Sequence, residues 1–87
     1  MRKIEKQTLE AIKANRNFKS GNTEVRSGTV YLHGNKIAER KGNRLILDTV
    51  TLHRWPTVTT RSRLNALGFS VCQRNYEQVI DCDTVEL

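Results

Sequence analysis

The stretch WPTVTTRSRLNALGF, residues 55–69, decides how the rest of the chain is read. It predicts the end of a strand, a turn, a short helix and the start of another strand. Pro56 cannot continue a strand interior, and it biases Trp55 toward an extended backbone. Thr59 or Thr60 is placed to cap the helix, offering a hydroxyl to the unpaired amides of the first turn. Leu64 and Leu67 lie three apart on one helical face, and Gly68 supplies a left-handed stop. A helix of about eight residues is not stable alone in water, so it must dock on a sheet.

Its arginines set up the first functional expectation. With the cap at Thr59 or Thr60, Arg61 and Arg63 fall at the helix end whose dipole favours anions, a mismatch of roughly 0.3–1 kcal/mol each when exposed. A bound anion would remove the conflict. Thr59, Thr60, Arg61 and Arg63 then form a phosphate or carboxylate site, with Arg54, Arg74 and Trp55 beside them. The other reading leaves the arginines in solvent, Thr60 as an ordinary cap and Trp55 as a lid on the core.

Outward from this stretch, FSVCQRNYEQVIDC (69–82) predicts a hairpin turning at Arg74–Glu77, with residues 83–87 fraying or adding a short edge. Upstream, IEKQTLEAIKAN (3–14) carries Ile4, Thr8 or Leu9, and Ile12 at helical spacing, and Asn15–Asn17 end that helix. From Phe18 the period becomes two. Gly21-Asn22, Gly34-Asn35 and Gly42-Asn43 suit tight primed turns between strands at 23–26, 29–32, 36–40 and 44–52. A turn at residues 33–36 would set Leu32 opposite Ile37 and Tyr31 opposite Ala38. A turn at 41–44 sets Lys41 beside Arg44, a like-charge pair that is either solvated or an anion contact. The fold class predicted is α+β: an N-terminal helix, an antiparallel β-meander, a short helix and a C-terminal β-hairpin, in one domain over residues 1–87.

Charge bounds the partners. The chain of 87 residues has net charge +6, and all of it resides in residues 1–43, with ten Lys/Arg against four Asp/Glu. Residues 44–87 have five of each, but split: residues 54–74 hold four arginines and no acid, and the tail after them holds only acids. Such a balance favours nucleic acids, nucleotides or an acidic protein surface. The small core of a domain this size favours a homo-oligomer.

Catalytic and metal signatures are sparse. Cys72 and Cys82 lack zinc spacing, and a disulfide between them would need one particular hairpin register. No phosphate loop, HExxH or GxSxG is present, and Asp48 and His53 on one strand would face opposite sides. The expectation is a protein without catalysis, metal or cofactor. No stretch is apolar enough to span a membrane, and the thiols are expected to be reduced in a cytoplasm.

NRNFKSGNTEV (15–25), YLHGNKIAE (31–39) and WPTVTTRSRLNALG (55–68) resemble segments of small tailed-bacteriophage accessory proteins. Such proteins have no assigned catalytic residues, so none are implied here. The resemblance implies work in the cytoplasm of the infected bacterial host, by stoichiometric binding. Counter-defence proteins of this style sequester an immune signalling nucleotide or inhibit a host defence protein such as a CRISPR effector complex. The leading expectation is a binder of an anionic nucleotide or nucleic acid. The alternatives are an inhibitor docking on a host protein and, third, a small nuclease or hydrolase acting through His53.

Overall fold

The computed structural model describes residues 3–87. Helix α1 (Lys3–Lys13) turns Glu5, Thr8, Ala11 and Ile12 inward and its lysines outward. Asn15, in the left-handed backbone region at φ 54°, ends it.

Five consecutive strands follow: β1 (Phe18–Ser20), β2 (Thr23–Arg26), β3 (Thr29–Leu32), β4 (Asn35–Lys41) and β5 (Arg44–Leu47). Each link is a two-residue turn, and positive φ at Ser27-Gly28 and at His33-Gly34 marks two of them as primed turns that match strand twist. The third turn is therefore shorter than the 33–36 loop read from the sequence. Leu32 faces Asn35 and Tyr31 faces Lys36, and a bulge at Val30/Tyr31 then sets Val30 opposite Ala38. That bulge lets both Ile37 and Ala38 reach the core, although they are adjacent in sequence. At the next turn Lys41 does face Arg44, and each has a carboxylate: Lys41 Nζ lies 3.8 Å from Glu39 and Arg44 Nε 2.9 Å from Glu86.

The strand expected to run to Leu52 ends at Leu47. Thr49, Val50 and Thr51 favour extended structure, but the Asp48 side chain accepts the Thr51 amide at 2.9 Å and nucleates helix α2 (Thr49–Arg54). Leu52, fully buried, anchors it. Trp55 caps the end of α2 instead of ending a strand, and it stays half exposed and is no core lid.

Helix α3 (Val58–Ala66) begins earlier than expected, because its N-cap is Thr57 and not Thr59 or Thr60. Thr57 Oγ1 accepts the Thr60 amide at 3.1 Å. The stop is at Gly68, φ 110°: the Gly68 amide donates to Asn65 O and the Phe69 amide to Leu64 O, the paired bonds of a Schellman motif. Strands β6 (Ser70–Arg74) and β7 (Glu77–Cys82) form a separate hairpin. In its register Cys72 faces Val79 and Cys82 faces Ser70, so the two thiols are not opposite each other and remain free.

Strand β8 (Thr84–Glu86) returns to pair with β5, giving a six-stranded antiparallel sheet ordered β1-β2-β3-β4-β5-β8. The acidic tail is thus divided, its Glu77–Cys82 part lying in the separate hairpin and its Thr84–Glu86 part completing the large sheet. Val25, Val30, Ala38 and Leu47 form one row on the face against which α1 and α3 pack, and Leu45 lies on that face beside them. Ile12, Leu52, Leu64, Leu67 and Phe69 close the core from the helix side. The opposite face carries Lys19, Glu24, Tyr31 and Lys36 in one row and Arg26, Thr29, Glu39 and Ile46 in the next.

Candidate functional site

The residues singled out around α3 are divided by the fold. Arg63 lies in the last turn of the helix, where the dipole favours a cation, and its side chain is buried. Its Nη1 is 3.5 Å from Glu5 Oε2 and its Nε donates to Thr23 Oγ1 at 3.2 Å. Ser62 Oγ also donates to Glu5 Oε2, at 3.1 Å. The guanidinium therefore ties α3 to α1 and β2 inside the protein. Thr60 is buried beside the Thr57 cap, and Thr59 is half-buried.

Arg61 has a different setting. Its half-buried Nη1 lies 2.9 Å from Pro56 O, 3.0 Å from Gln73 Oε1 and 3.1 Å from Gln78 Oε1, so two protons are shared among three acceptors. It clamps the α2–α3 corner to the β6–β7 hairpin. Between those elements opens a cleft of about 360 Å³ lined by His53, Pro56, Tyr76, Glu77 and Gln78. His53 Nδ1 is 2.8 Å from Thr49 O, an acceptor that keeps the proton on Nδ1. Arg54 and Arg74, both exposed, adjoin the cleft along the chain, as does Trp55. The turn at Arg74–Glu77 and its exposed tyrosine are legible in sequence, but no spacing in the chain announces that Tyr76 and Glu77 meet His53 and Pro56 across a cleft.

Asp48 and His53 do not meet: the Asp48 carboxylate is used by the Thr51 amide and by Lys36, 3.8 Å away. Among the described residues no three His, Cys, Asp or Glu side chains are grouped to hold a metal ion.

A second feature is electrostatic. Lys3, Lys6, Lys13, Arg16, Lys19 and Arg26 are all exposed, on α1 and on the β1–β2 edge that follows it. Among the described residues none has a carboxylate within 4 Å, whereas Lys36, Lys41, Arg44 and Arg63 each do. Arg40 is turned inward, donating to Ile12 O and Gly42 O. Arg26 stacks 4.8 Å from the Tyr31 ring centroid, and a hydrogen bond with Tyr31, then the charge of Glu24, raises its pKa above the ordinary value. It is a fixed cation on an aromatic support.

The fold defines a small α+β protein whose meander sheet is covered by helices on one face. Residues 1–86 match the Kyanoviridae Gp96 protein family, and the chain belongs to this family of bacteriophage proteins. No curated protein and no solved structure matches it. Among the described residues no helix is long and apolar enough to cross a membrane.

Proposed function

We propose that this phage protein binds an anionic nucleic acid or nucleotide without turning it over, and that the end formed by α1, β1 and β2 supplies the electrostatic contact. One observation carries the reading: six exposed cations gather at that end with no carboxylate within 4 Å among the described residues, whereas Lys36, Lys41, Arg44 and Arg63 each have one. Unpaired surface cations attract a phosphate backbone through release of its counterions, with no catalytic group needed. Phe18, half-buried in the groove with Lys19, Glu24 and Arg26, and Tyr31 add apolar surface beside the charge. In an infected cell, stoichiometric occupancy of such a ligand is the simplest form of the counter-defence role that the phage resemblance implies.

The test is fluorescence anisotropy with labelled single-stranded and duplex DNA and RNA, from about 50 to about 200 mM salt. Binding that weakens steeply with salt is expected. Absence of binding at the low-salt end, or binding indifferent to salt, would overturn the reading.

A further inference from the structure

We propose that the cleft between the α2–α3 corner and the β6–β7 tip receives an unpaired base of single-stranded nucleic acid, stacked on Tyr76, with the flanking phosphates on Arg54 and Arg74. The proposal rests on the nucleic-acid reading above and makes it more specific.

Tyr76 is the first observation. Its side chain is 95% exposed, so it contributes almost nothing to packing, yet its backbone sits at φ 66°, next to Asn75 at φ 50°. A bulky residue in the left-handed region is an outlier. The other two turns of this chain with positive φ at both residues, Ser27-Gly28 and His33-Gly34, have glycine second, as the primed turn prefers. At the β6–β7 tip a tyrosine occupies that glycine place. Strain kept without a packing gain points to a use for the side chain.

The surroundings identify the use. The cleft of about 360 Å³ falls within the roughly 300–1,000 Å³ typical of small-molecule sites. His53 and Tyr76 give it flat aromatic surfaces and Pro56 an apolar one, and Trp55, half exposed, is a further ring next to Pro56 in the chain. Glu77 on the wall is suited to accept from an exocyclic amino group and unsuited to a phosphate. Gln78 is held by Arg61 and by its own bond to Gln73, which fixes that wall. The phosphate-seeking groups are outside: Arg54 follows His53, and Arg74 faces Glu77 across the hairpin. Arg54 and Arg74 thus bring two exposed cations to the rim, against the single carboxylate of Glu77 on the wall. Rings and arginines together are how proteins hold single strands, whereas a duplex keeps its bases stacked inside.

The experiment titrates labelled single-stranded oligo-dC and a duplex of the same length against the wild type, Tyr76→Gly and Tyr76→Phe. Glycine is at home at this φ, so Tyr76→Gly should melt no lower than the wild type. It should bind the single strand about ten-fold or more weakly, with duplex affinity and salt dependence unchanged, while Tyr76→Phe keeps the single-strand affinity. Equal single-strand binding by Tyr76→Gly, or an equal loss on both probes, overturns the base cleft and leaves the α1–β1–β2 reading standing. A wild type that binds neither probe at low salt overturns that underlying reading instead. A cleft used for a protein partner would show as the first of these outcomes.

Discussion

Arg63 and Glu5 form an ion pair, Nη1 to Oε2 at 3.5 Å, with both side chains more than nine-tenths buried. It joins the last turn of α3 to the first turn of α1, so the two helices share a charged contact above the sheet. The arginine that looks misplaced from the sequence is a structural tie. Its position six residues into the helix, and not in the first turn, follows from the cap at Thr57.

Breaking that pair should be costly, because a buried guanidinium without its carboxylate loses several kcal/mol. Glu5→Gln is expected to destabilise the fold by about 3 kcal/mol. In a domain of this size that corresponds to a thermal midpoint lower by roughly 4–8 °C per kcal/mol. Urea denaturation followed by circular dichroism measures it, with the Glu5→Leu/Arg63→Met double variant expected to recover much of the loss. A wild-type midpoint for Glu5→Gln would mean that the pair does not hold the helices.

Much of the architecture is legible in the sequence, and the exceptions have physical causes. The period-two runs and the Gly-Asn pairs locate β2, β3 and most of β4, and the Leu64/Leu67 spacing with Gly68 locates α3. The α2 helix is hidden because β-branched Thr49, Val50 and Thr51 favour a strand; one carboxylate at Asp48 reverses the outcome. The register error at Leu32 arises because His33 adopts positive φ, which residue type alone does not announce. Of the site residues, Arg61 is found beside a cleft, but the burial of Arg63 depends on Glu5, a partner from the far end of the chain. Local spacing contains no trace of such a pairing.

Gly68 tests the coupling between the helix stop and the last strand. Its φ of 110° is unfavourable for any L side chain, and an added Cβ would sit 3.1 Å from Val85 Cγ1 on β8. Gly68→Ala should therefore cost about 2 kcal/mol or more. Hydrogen exchange should show faster opening at the Leu87 amide, bonded to Asn43 O, than at the centre of the sheet. Unchanged melting together with unchanged exchange at Leu87 would refute the coupling.

The cap at Asp48 can be separated from its charge. Asp48→Ala removes the acceptor for the Thr51 amide and should cost about 1 kcal/mol. Asparagine caps about as well as aspartate, so Asp48→Asn should retain most of that stability. Among the described residues the ion pair it gives up is the partly exposed bridge to Lys36, and such pairs are worth roughly 0–1 kcal/mol. Chemical denaturation of the two variants decides the matter. If Asp48→Asn falls as far as Asp48→Ala, the ion pair and not the cap governs α2.

The electrostatic reading makes a quantitative claim about salt. Each phosphate contact on a single strand contributes about −0.7 to the slope of log affinity against log salt concentration. Lys13→Ala/Arg16→Ala/Lys19→Ala removes three cations that have no carboxylate within 4 Å among the described residues, so the slope should become shallower by about 2. All three are exposed, and each substitution should change stability by no more than about 0.5 kcal/mol, keeping the binding measurement interpretable. The control is Lys36→Ala/Lys41→Ala, which removes cations already set against Glu39 and Asp48 and should alter the slope far less. Equal losses per cation removed in the two variants would show that net charge alone, and not the unpaired end of the molecule, attracts the ligand.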